Sequence, residues 1–110
     1  MEIYNFFNGK LPAGGEESFE ELLRMDDCRV ERIISFAHSD AEDQWYDQDH
    51  DEWVMLVRGE ARLVFEGLGE TTLNAGDCCH IPAHQRHRIS YTSSEPPCYW
   101  LALHGGSQNT

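Results

Sequence analysis

The sequence predicts an all-β protein, and three observations support this. Short apolar or alternating segments recur at intervals of about ten residues from Arg29 to His104. Gly or Pro residues separate the segments, as in Arg58-Gly59 and Pro96-Pro97. No long segment with helical periodicity lies between them. This spacing is typical of antiparallel sandwiches and barrels rather than of βαβ units. We therefore predict one antiparallel barrel over residues 28–104.

Composition and charge exclude several classes of protein. The 110 residues provide for one hydrophobic core. No apolar run approaches the roughly 20 residues that cross a bilayer, and the N-terminus lacks the basic residues of a secretory signal. The net charge is −12 and the only lysine is Lys10, which disfavours nucleic acid and anionic membranes as partners. Four cysteines without a CxxC pair are expected to be reduced thiols. We expect a cytoplasmic protein.

Residues 1–27 are predicted to precede the barrel with two short elements. The apolar segment Ile3–Phe7 is interpreted as an edge strand. Residues 16–24 are predicted to form a short helix, because Ser18 and Glu21 have the spacing of a capping box. Its apolar side would consist of Phe19, Leu22 and Leu23.

The barrel strands are predicted from their alternation. They cover residues 29–36, 53–57, 61–66, 71–73, 78–81, 87–92 and 98–104. Residues 53–57 are almost all apolar, as expected of a strand buried on both faces. In the next segment Ala61, Leu63 and Phe65 alternate with other residues, as in a half-buried strand. Residues 105–110 are predicted to be a flexible tail.

An acidic segment separates the first two barrel strands. Its acidic residues are Asp40, Glu42, Asp43, Asp47, Asp49, Asp51 and Glu52. Most of them are interpreted as a solvated loop. Two or three are expected to attract a cation.

Two segments go beyond a general β pattern. In the first, Glu52 is followed by six residues and then by the turn glycine Gly59. In the second, Gly76, Pro82 and His87 have the spacing Gly-x5-Pro-x4-His. Together they resemble the two motifs of the cupin family, in which a His-x-His pair precedes Glu-x6-Gly and a later Gly-x5-Pro-x-Gly-x2-His supplies another histidine. The resemblance covers about residues 45–92 and implies a jelly-roll barrel, or double-stranded β-helix.

The sequence departs from the family pattern at two places. His84 stands where the second motif usually has Gly. The His-x-His positions fall on Tyr46 and Gln48, or on Trp45 and Asp47, and neither pair contains a histidine. The run from Trp45 to Gln48 is also similar to a group of small single-domain cupins that are compared with phosphomannose isomerases.

The resemblance implies a metal site and a small polar ligand inside the barrel. Cupin sites combine imidazoles with a carboxylate, and divalent Mn, Fe, Ni or Zn accepts such mixed ligands. We predict that the metal ligands are Gln48, His50, Glu52 and His87, with Asp47 as the reserve. Taken singly, His87 is interpreted as a core histidine and Glu52 as a carboxylate at a strand start. Their paired positions in the two motifs favour a shared site.

The missing His-x-His pair leaves two hypotheses about function. One is a metal-dependent enzyme, with the isomerase or dioxygenase chemistry typical of the family. The other is a ligand-binding or sensing protein without catalysis and without metal. Of the other histidines, His80 is expected in the core or beside the site, His84 in an exposed turn and His104 near the tail. The resemblance also implies a homodimer formed through terminal strands such as Ile3–Phe7.

Overall fold

The structure is a computed structural model that describes residues 1–105. Of the predicted tail, only Gly105 lies within the described residues. Eight strands are present in this part of the chain: β1 (Glu17–Met25), β2 (Cys28–Ser35), β3 (Glu52–Arg58), β4 (Glu60–Phe65), β5 (Gly69–Asn74), β6 (Cys78–Ile81), β7 (His87–Thr92) and β8 (Cys98–His104). No helix in residues 1–105 is long and apolar enough to cross a membrane.

The strands form two antiparallel sheets. One has the order β1-β2-β8-β3-β6 and the other the order β5-β4-β7. Alternate residues of both sheets meet in a shared core, because successive side chains on a strand point to opposite faces. This core contains Val54, Leu56, Ala61, Leu63, Leu73, Ile81, Ile89, Cys98, Trp100 and Ala102. The predicted all-β fold with antiparallel sheets is confirmed.

The helix predicted over residues 16–24 is wrong, because this segment forms strand β1. Glu17 lies opposite Ser35 of β2, and Phe19 lies opposite Ile33. The ladder continues to the ends of both strands, with a bulge near Glu21. Hydrogen bonds and side-chain contacts along a whole strand outweigh the small preference that a capping box gives to a helix.

The edge strand predicted at Ile3–Phe7 is also wrong, since these residues form no strand. The ring of Phe7 instead packs edge-on against Tyr99, at 5.3 Å between centroids. The Arg58 guanidinium lies 3.9 Å from the centroid of the same Phe7 ring. The edge of the larger sheet is β1, where Phe19, Leu23 and Met25 are exposed.

Strand β3 is buried on one face only, contrary to the prediction for residues 53–57. Glu52, Val54 and Leu56 are buried, whereas Trp53 remains 36% exposed. The alternation therefore turns Glu52 towards the interior, on the same face as the two aliphatic residues that follow it.

The turn between β3 and β4 requires glycine. Gly59 has a φ of 98°, in the left-handed region that side chains disfavour. A Cβ atom at this position would lie 2.8 Å from Cys98 Sγ and 2.9 Å from Ser93 Oγ. The turn also carries the chain from the five-stranded sheet to the three-stranded one. The close approach of β8 therefore explains the glycine of the first motif.

We expect Gly59→Ala to lower the stability more than Gly67→Ala. Gly67 also has a positive φ, of 82°, but a Cβ atom there would meet nothing within 4 Å. It serves as the control for the backbone cost alone, about 1 kcal/mol. Gly59→Ala adds overlap with buried atoms and should cost more than about 2 kcal/mol. Thermal unfolding should show a clearly larger drop in Tm for Gly59→Ala. Equal drops would contradict the steric argument.

Candidate functional site

A cavity opens to solvent between the two sheets and has about 540 Å³ of empty space, counted to its open mouth. Half of its lining is apolar: Phe19, Ile33, Val54, Leu63, Ile81, Ile89 and Trp100. The other half is polar: Glu17, Glu31, Tyr46, Gln48, Glu52, His87 and His104. No Lys or Arg is among these lining residues. The cavity therefore combines an apolar wall with three carboxylates and two imidazoles.

Glu52 is the carboxylate around which the other polar groups converge. It begins β3 and is 7% exposed. Its neighbour across the ladder to β8 is His104. Gln48 Nε2 donates a hydrogen bond to Glu52 Oε1 at 3.2 Å. Glu52 Oε1 lies 3.9 Å from His87 Nε2, and Glu52 Oε2 lies 3.7 Å from His104 Nε2. Both distances are too long for hydrogen bonds.

His87 presents its Nε2 atom to the cavity. Its Nδ1 atom lies 2.9 Å from the carbonyl oxygen of Gln85. Because a carbonyl can only accept, Nδ1 carries a hydrogen, and in the neutral ring the lone pair is on Nε2. Tyr46 fixes the position of His87, since the two residues exchange backbone hydrogen bonds of 2.8 and 3.2 Å. Their rings are stacked with centroids 5.5 Å apart.

His104 joins the cavity to His50 at its edge. His104 Nε2 lies 3.0 Å from Glu31 Oε1, and His104 Nδ1 lies 2.9 Å from His50 Nε2. If Nε2 carries the hydrogen, it donates to Glu31 and Nδ1 accepts from His50. If Nδ1 carries it, it donates to His50, and the lone pair on Nε2 then lies 3.0 Å from Glu31 Oε1 and 3.7 Å from Glu52 Oε2. His50 thus supports either tautomer of His104.

These groups fit a divalent metal ion. Glu52 is a buried carboxylate, and two imidazole nitrogens lie near it beyond hydrogen-bonding distance. A metal ion binds such nitrogen and oxygen atoms at about 2.0–2.2 Å, so the separations of 3.7 and 3.9 Å leave room for an ion between Glu52 and either imidazole. In this arrangement the ligand atoms of all three residues do not lie within 4.8 Å of one another. The Nδ1 hydrogen bond of His87 resembles the outer contacts that orient ligating histidines.

The structure brings together three of the four ligands predicted from the sequence. Gln48, Glu52 and His87 all line the cavity. His50 is not among the lining residues, and its Nε2 atom faces His104. The reserve residue Asp47 lies outside the cavity, where its Oδ1 atom is 3.0 Å from the exposed His84.

Asp51 anchors the loop that carries Gln48. Its Oδ1 atom accepts a hydrogen bond from the backbone N–H of Ala83 at 2.9 Å, and its Oδ2 atom lies 2.9 Å from His80 Nε2. These two interactions, the backbone one first, lower the pKa of Asp51. His84 N–H also donates to the carbonyl of Gln48 at 2.7 Å. His80 does not lie in the core, since its side chain is 60% exposed.

The sequence interpretation missed His104 and Glu31. His104 is 5% exposed, although it was expected near a loose tail. A signal was available, because Trp100, Ala102 and His104 share one parity on β8 and the first two are apolar. Glu31 carried no comparable signal, since it lies among the charged residues Arg29 and Arg32.

The two-sheet fold and this cavity define a class of protein. The chain belongs to the cupin family, whose cupin domain profile matches residues 33–104. The motif residues Glu52, Gly59, Gly76, Pro82 and His87 all lie within the match.

Solved structures add more specific similarities. A protein from Ralstonia eutropha JMP134, provisionally named a mannose-6-phosphate isomerase, is 37% identical, with 97% of this chain and 100% of that chain covered and a TM-score of 0.87. A cupin superfamily protein from Desulfitobacterium hafniense DCB-2 is 16% identical, with 87% and 83% covered and a TM-score of 0.70. A sugar phosphate isomerase from Silicibacter pomeroyi DSS-3 is 21% identical, with 83% and 60% covered and a TM-score of 0.64. The last two show the fold alone. None of the curated proteins matches the chain.

Proposed function

We propose that this cupin binds a divalent metal ion and a small polar ligand in the cavity between its sheets. The observation that supports this proposal is the buried carboxylate of Glu52. Its oxygen atoms lie 3.9 Å from His87 Nε2 and 3.7 Å from His104 Nε2. Burying a charge without a close partner is unfavourable. A cation bound between Glu52 and one of these imidazoles would remove that cost.

The proposed ligands are Glu52 and His87, with Gln48 and His104 beside them. Gln48 would turn its amide so that the oxygen faces the ion. The geometry supports His104 as a ligand instead of the predicted His50, and His50 would then hold the His104 ring by accepting its Nδ1 hydrogen. When bound, the ion would act as a Lewis acid towards an oxygen atom of the ligand.

The charge of the cavity restricts the class of ligand. Glu17, Glu31 and Glu52 line it, whereas no lining residue is Lys or Arg. A divalent ion would offset two of three ionised carboxylates, so the cavity would still not favour an anion. Phosphate recognition normally uses Arg, Lys or backbone N–H groups. We therefore propose an uncharged or cationic ligand with an apolar part, rather than a sugar phosphate such as the names of two structural relatives suggest.

A non-catalytic binding role is the second candidate. Tyr46 and Gln48 occupy the positions where cupins usually have two histidine ligands. Tyr46 donates its hydroxyl hydrogen to Glu17 Oε1 at 3.3 Å and is thus already engaged. A metal site with fewer imidazoles should bind more weakly. This favours a cupin that binds ligand without catalysis, and measured metal content separates the two candidates.

We expect His87→Ala and Glu52→Gln to lose bound metal and keep their fold. Elemental analysis of untagged protein after Mn²⁺ or Zn²⁺ supplementation should show about one metal ion per chain fewer in each variant than in the wild type. Loss of a ligand should weaken binding by more than about tenfold. His84→Ala, at an exposed histidine, is the matched control.

Stability measurements complete this test. In chelator, Glu52→Gln should melt no lower than the wild type, because the change removes a buried charge that lacks a close partner. Wild-type metal content in both variants would place the site elsewhere. Absence of metal from the supplemented wild type would favour the non-catalytic candidate.

We expect ligand binding to depend on ligand charge. Mannose and mannose 6-phosphate form a matched pair that differs by the phosphate, and calorimetry should show that the phosphate weakens binding to the metal-loaded protein. Glu31→Gln removes one of the repelling carboxylates and should reduce this difference. Tighter binding of mannose 6-phosphate than of mannose by the wild type would contradict the proposed ligand class.

We also propose that the protein is a cytoplasmic homodimer. Strand β1 is a sheet edge with three exposed apolar side chains, and such edges are usually covered. The four cysteines are free thiols, as a reducing compartment requires. Light scattering should give twice the chain mass, and Phe19→Lys should shift it towards the monomer. A monomeric mass for the concentrated wild type would exclude the dimer.

A further inference from the structure

A second group of potential metal ligands lies outside the cupin motifs. Glu17 begins β1, and His38 and Asp40 follow β2. His38 Nε2 lies 2.9 Å from Asp40 Oδ1 and 3.3 Å from Glu17 Oε1. The three side chains are between 5% and 18% exposed. Within residues 1–105, this is the one group of three His, Cys, Asp or Glu residues whose ligand atoms all lie within 4.8 Å of one another.

The hydrogen bonds of His38 fix which of its nitrogens faces the carboxylates. Its Nδ1 atom lies 3.2 Å from the carbonyl oxygen of Gly15, which can only accept, so Nδ1 carries a hydrogen. Nε2 therefore faces Asp40 and Glu17 with either a lone pair or one hydrogen. One N–H bond points in one direction and makes a hydrogen bond with Asp40 only. A hydrogen on Nε2 thus bonds to only one of the two carboxylates, whereas a metal ion would contact both carboxylates and the imidazole.

Both carboxylates are held in place by their other oxygen atoms. Asp40 Oδ2 accepts a hydrogen bond from the backbone N–H of Ile89 at 2.8 Å. Glu17 Oε2 accepts one from the hydroxyl of Ser35 at 2.5 Å. Asp40 Oδ1 and Glu17 Oε1 converge on His38 Nε2, and Glu17 Oε1 also accepts a hydrogen bond from the Tyr46 hydroxyl at 3.3 Å. Outer contacts of this kind orient metal ligands and are needed for high affinity.

The backbone of His38 is held as firmly as its ring. The His38 N–H donates to the hydroxyl oxygen of Thr92 at 2.7 Å, and the same hydroxyl donates to the His38 carbonyl at 2.7 Å. The preceding residue, Ala37, has a φ of 52°, a conformation that non-glycine residues adopt at some cost. The segment is therefore held in one arrangement that presents the ring to the carboxylates.

The charge of the group also favours a cation. His38 is the one basic side chain that forms an ion pair with either carboxylate within the described residues. Burial raises the pKa of Glu17. Burial opposes protonation of His38, but the hydrogen bond to Asp40 and the charge of Glu17 outweigh it and raise its pKa. Even with His38 protonated, two ionised carboxylates would leave a net negative charge.

We propose that Glu17, His38 and Asp40 bind a divalent cation such as Mn²⁺, as a centre separate from the one at Glu52. Ligand atoms at about 2.0–2.2 Å from an ion, at angles of about 90–109°, are roughly 2.8–3.6 Å apart, and the observed 2.9 and 3.3 Å agree with this. Two carboxylates and one imidazole suit Mn²⁺ as a mixed ligand set. The proposal does not depend on the proposed function of the cavity.

Mn²⁺ titration followed by calorimetry and electron paramagnetic resonance tests the proposal. Mn²⁺ is the probe because it prefers oxygen and nitrogen ligands to the four thiols. In protein carrying Glu52→Gln and His87→Ala, one Mn²⁺ should still bind per chain. Adding His38→Gln or Asp40→Asn should weaken that binding by more than about tenfold, whereas His84→Gln should leave it unchanged. Asp40→Asn retains an oxygen for the Ile89 N–H and guards against simple unfolding.

A measurement on the protein carrying Glu52→Gln and His87→Ala tests the location of the ion without a contribution from the Glu52 site. Bound Mn²⁺ should broaden the NMR signals of the His38 ring beyond detection at low occupancy. Sharp His38 signals at saturating Mn²⁺, or unchanged affinity in both cluster variants, would overturn the proposal. Loss of binding only in the cluster variants would support it and count against the Glu52 site. Loss of binding only in the Glu52 and His87 variants would support the Glu52 site and overturn the proposal for Glu17, His38 and Asp40.

Discussion

The burial of the Glu52 carboxylate is the constraint on which the arrangement of the site depends. Strand β3 lies between β8 and β6, so Glu52 has His104 on one side and Ile81 on the other. A shift of one residue in this register would turn Glu52 to solvent and bring Trp53 inside. Val54 and Leu56 hold the register, because their burial requires the same parity. The same alternation of inward-facing and outward-facing side chains along β3 therefore specifies both the aliphatic core and the polar site.

The cavity resembles the core in its apolar half and a cation-binding site in its polar half. Trp100 illustrates how closely the two halves are joined, since its Nε1–H donates to the Ser35 hydroxyl at 3.1 Å. That hydroxyl in turn donates to Glu17. An indole buried in the core thus helps to position a carboxylate at the cavity wall. Changes that are intended to alter ligand binding will therefore affect packing unless they preserve these hydrogen bonds.

Sequence reasoning succeeded where alternation and motif spacing act together. The strands from β2 to β8 were predicted to within a few residues, and Glu52 and His87, which were expected to share a site, line the same cavity. It failed for β1, because pairing with β2 is a long-range interaction and the local Ser18–Glu21 pattern favoured a helix. The sequence did not indicate that His104 lines the cavity and His50 does not, because this depends on which imidazole lies opposite Glu52 in the β-ladder.

Long-range contacts also explain why the Glu17 group escaped notice. Glu17 precedes His38 and Asp40 by a whole hairpin, and nothing in their spacing indicates a shared location. The antiparallel ladder places Glu17 opposite Ser35, and this brings the start of β1 beside the segment that follows β2. The acidic run containing Asp40 was interpreted mainly as a solvated loop, yet Asp40 is largely buried.

Tyr46 makes the two polar regions of the protein mechanically dependent on each other. Its ring is stacked on His87, while its hydroxyl is bonded to Glu17. A rigid ring cannot move at one end without moving at the other. Movement of the Tyr46 ring would therefore reach both regions, and thermodynamic reciprocity would require any effect of one region's occupancy on the other's affinity to be equal in both directions.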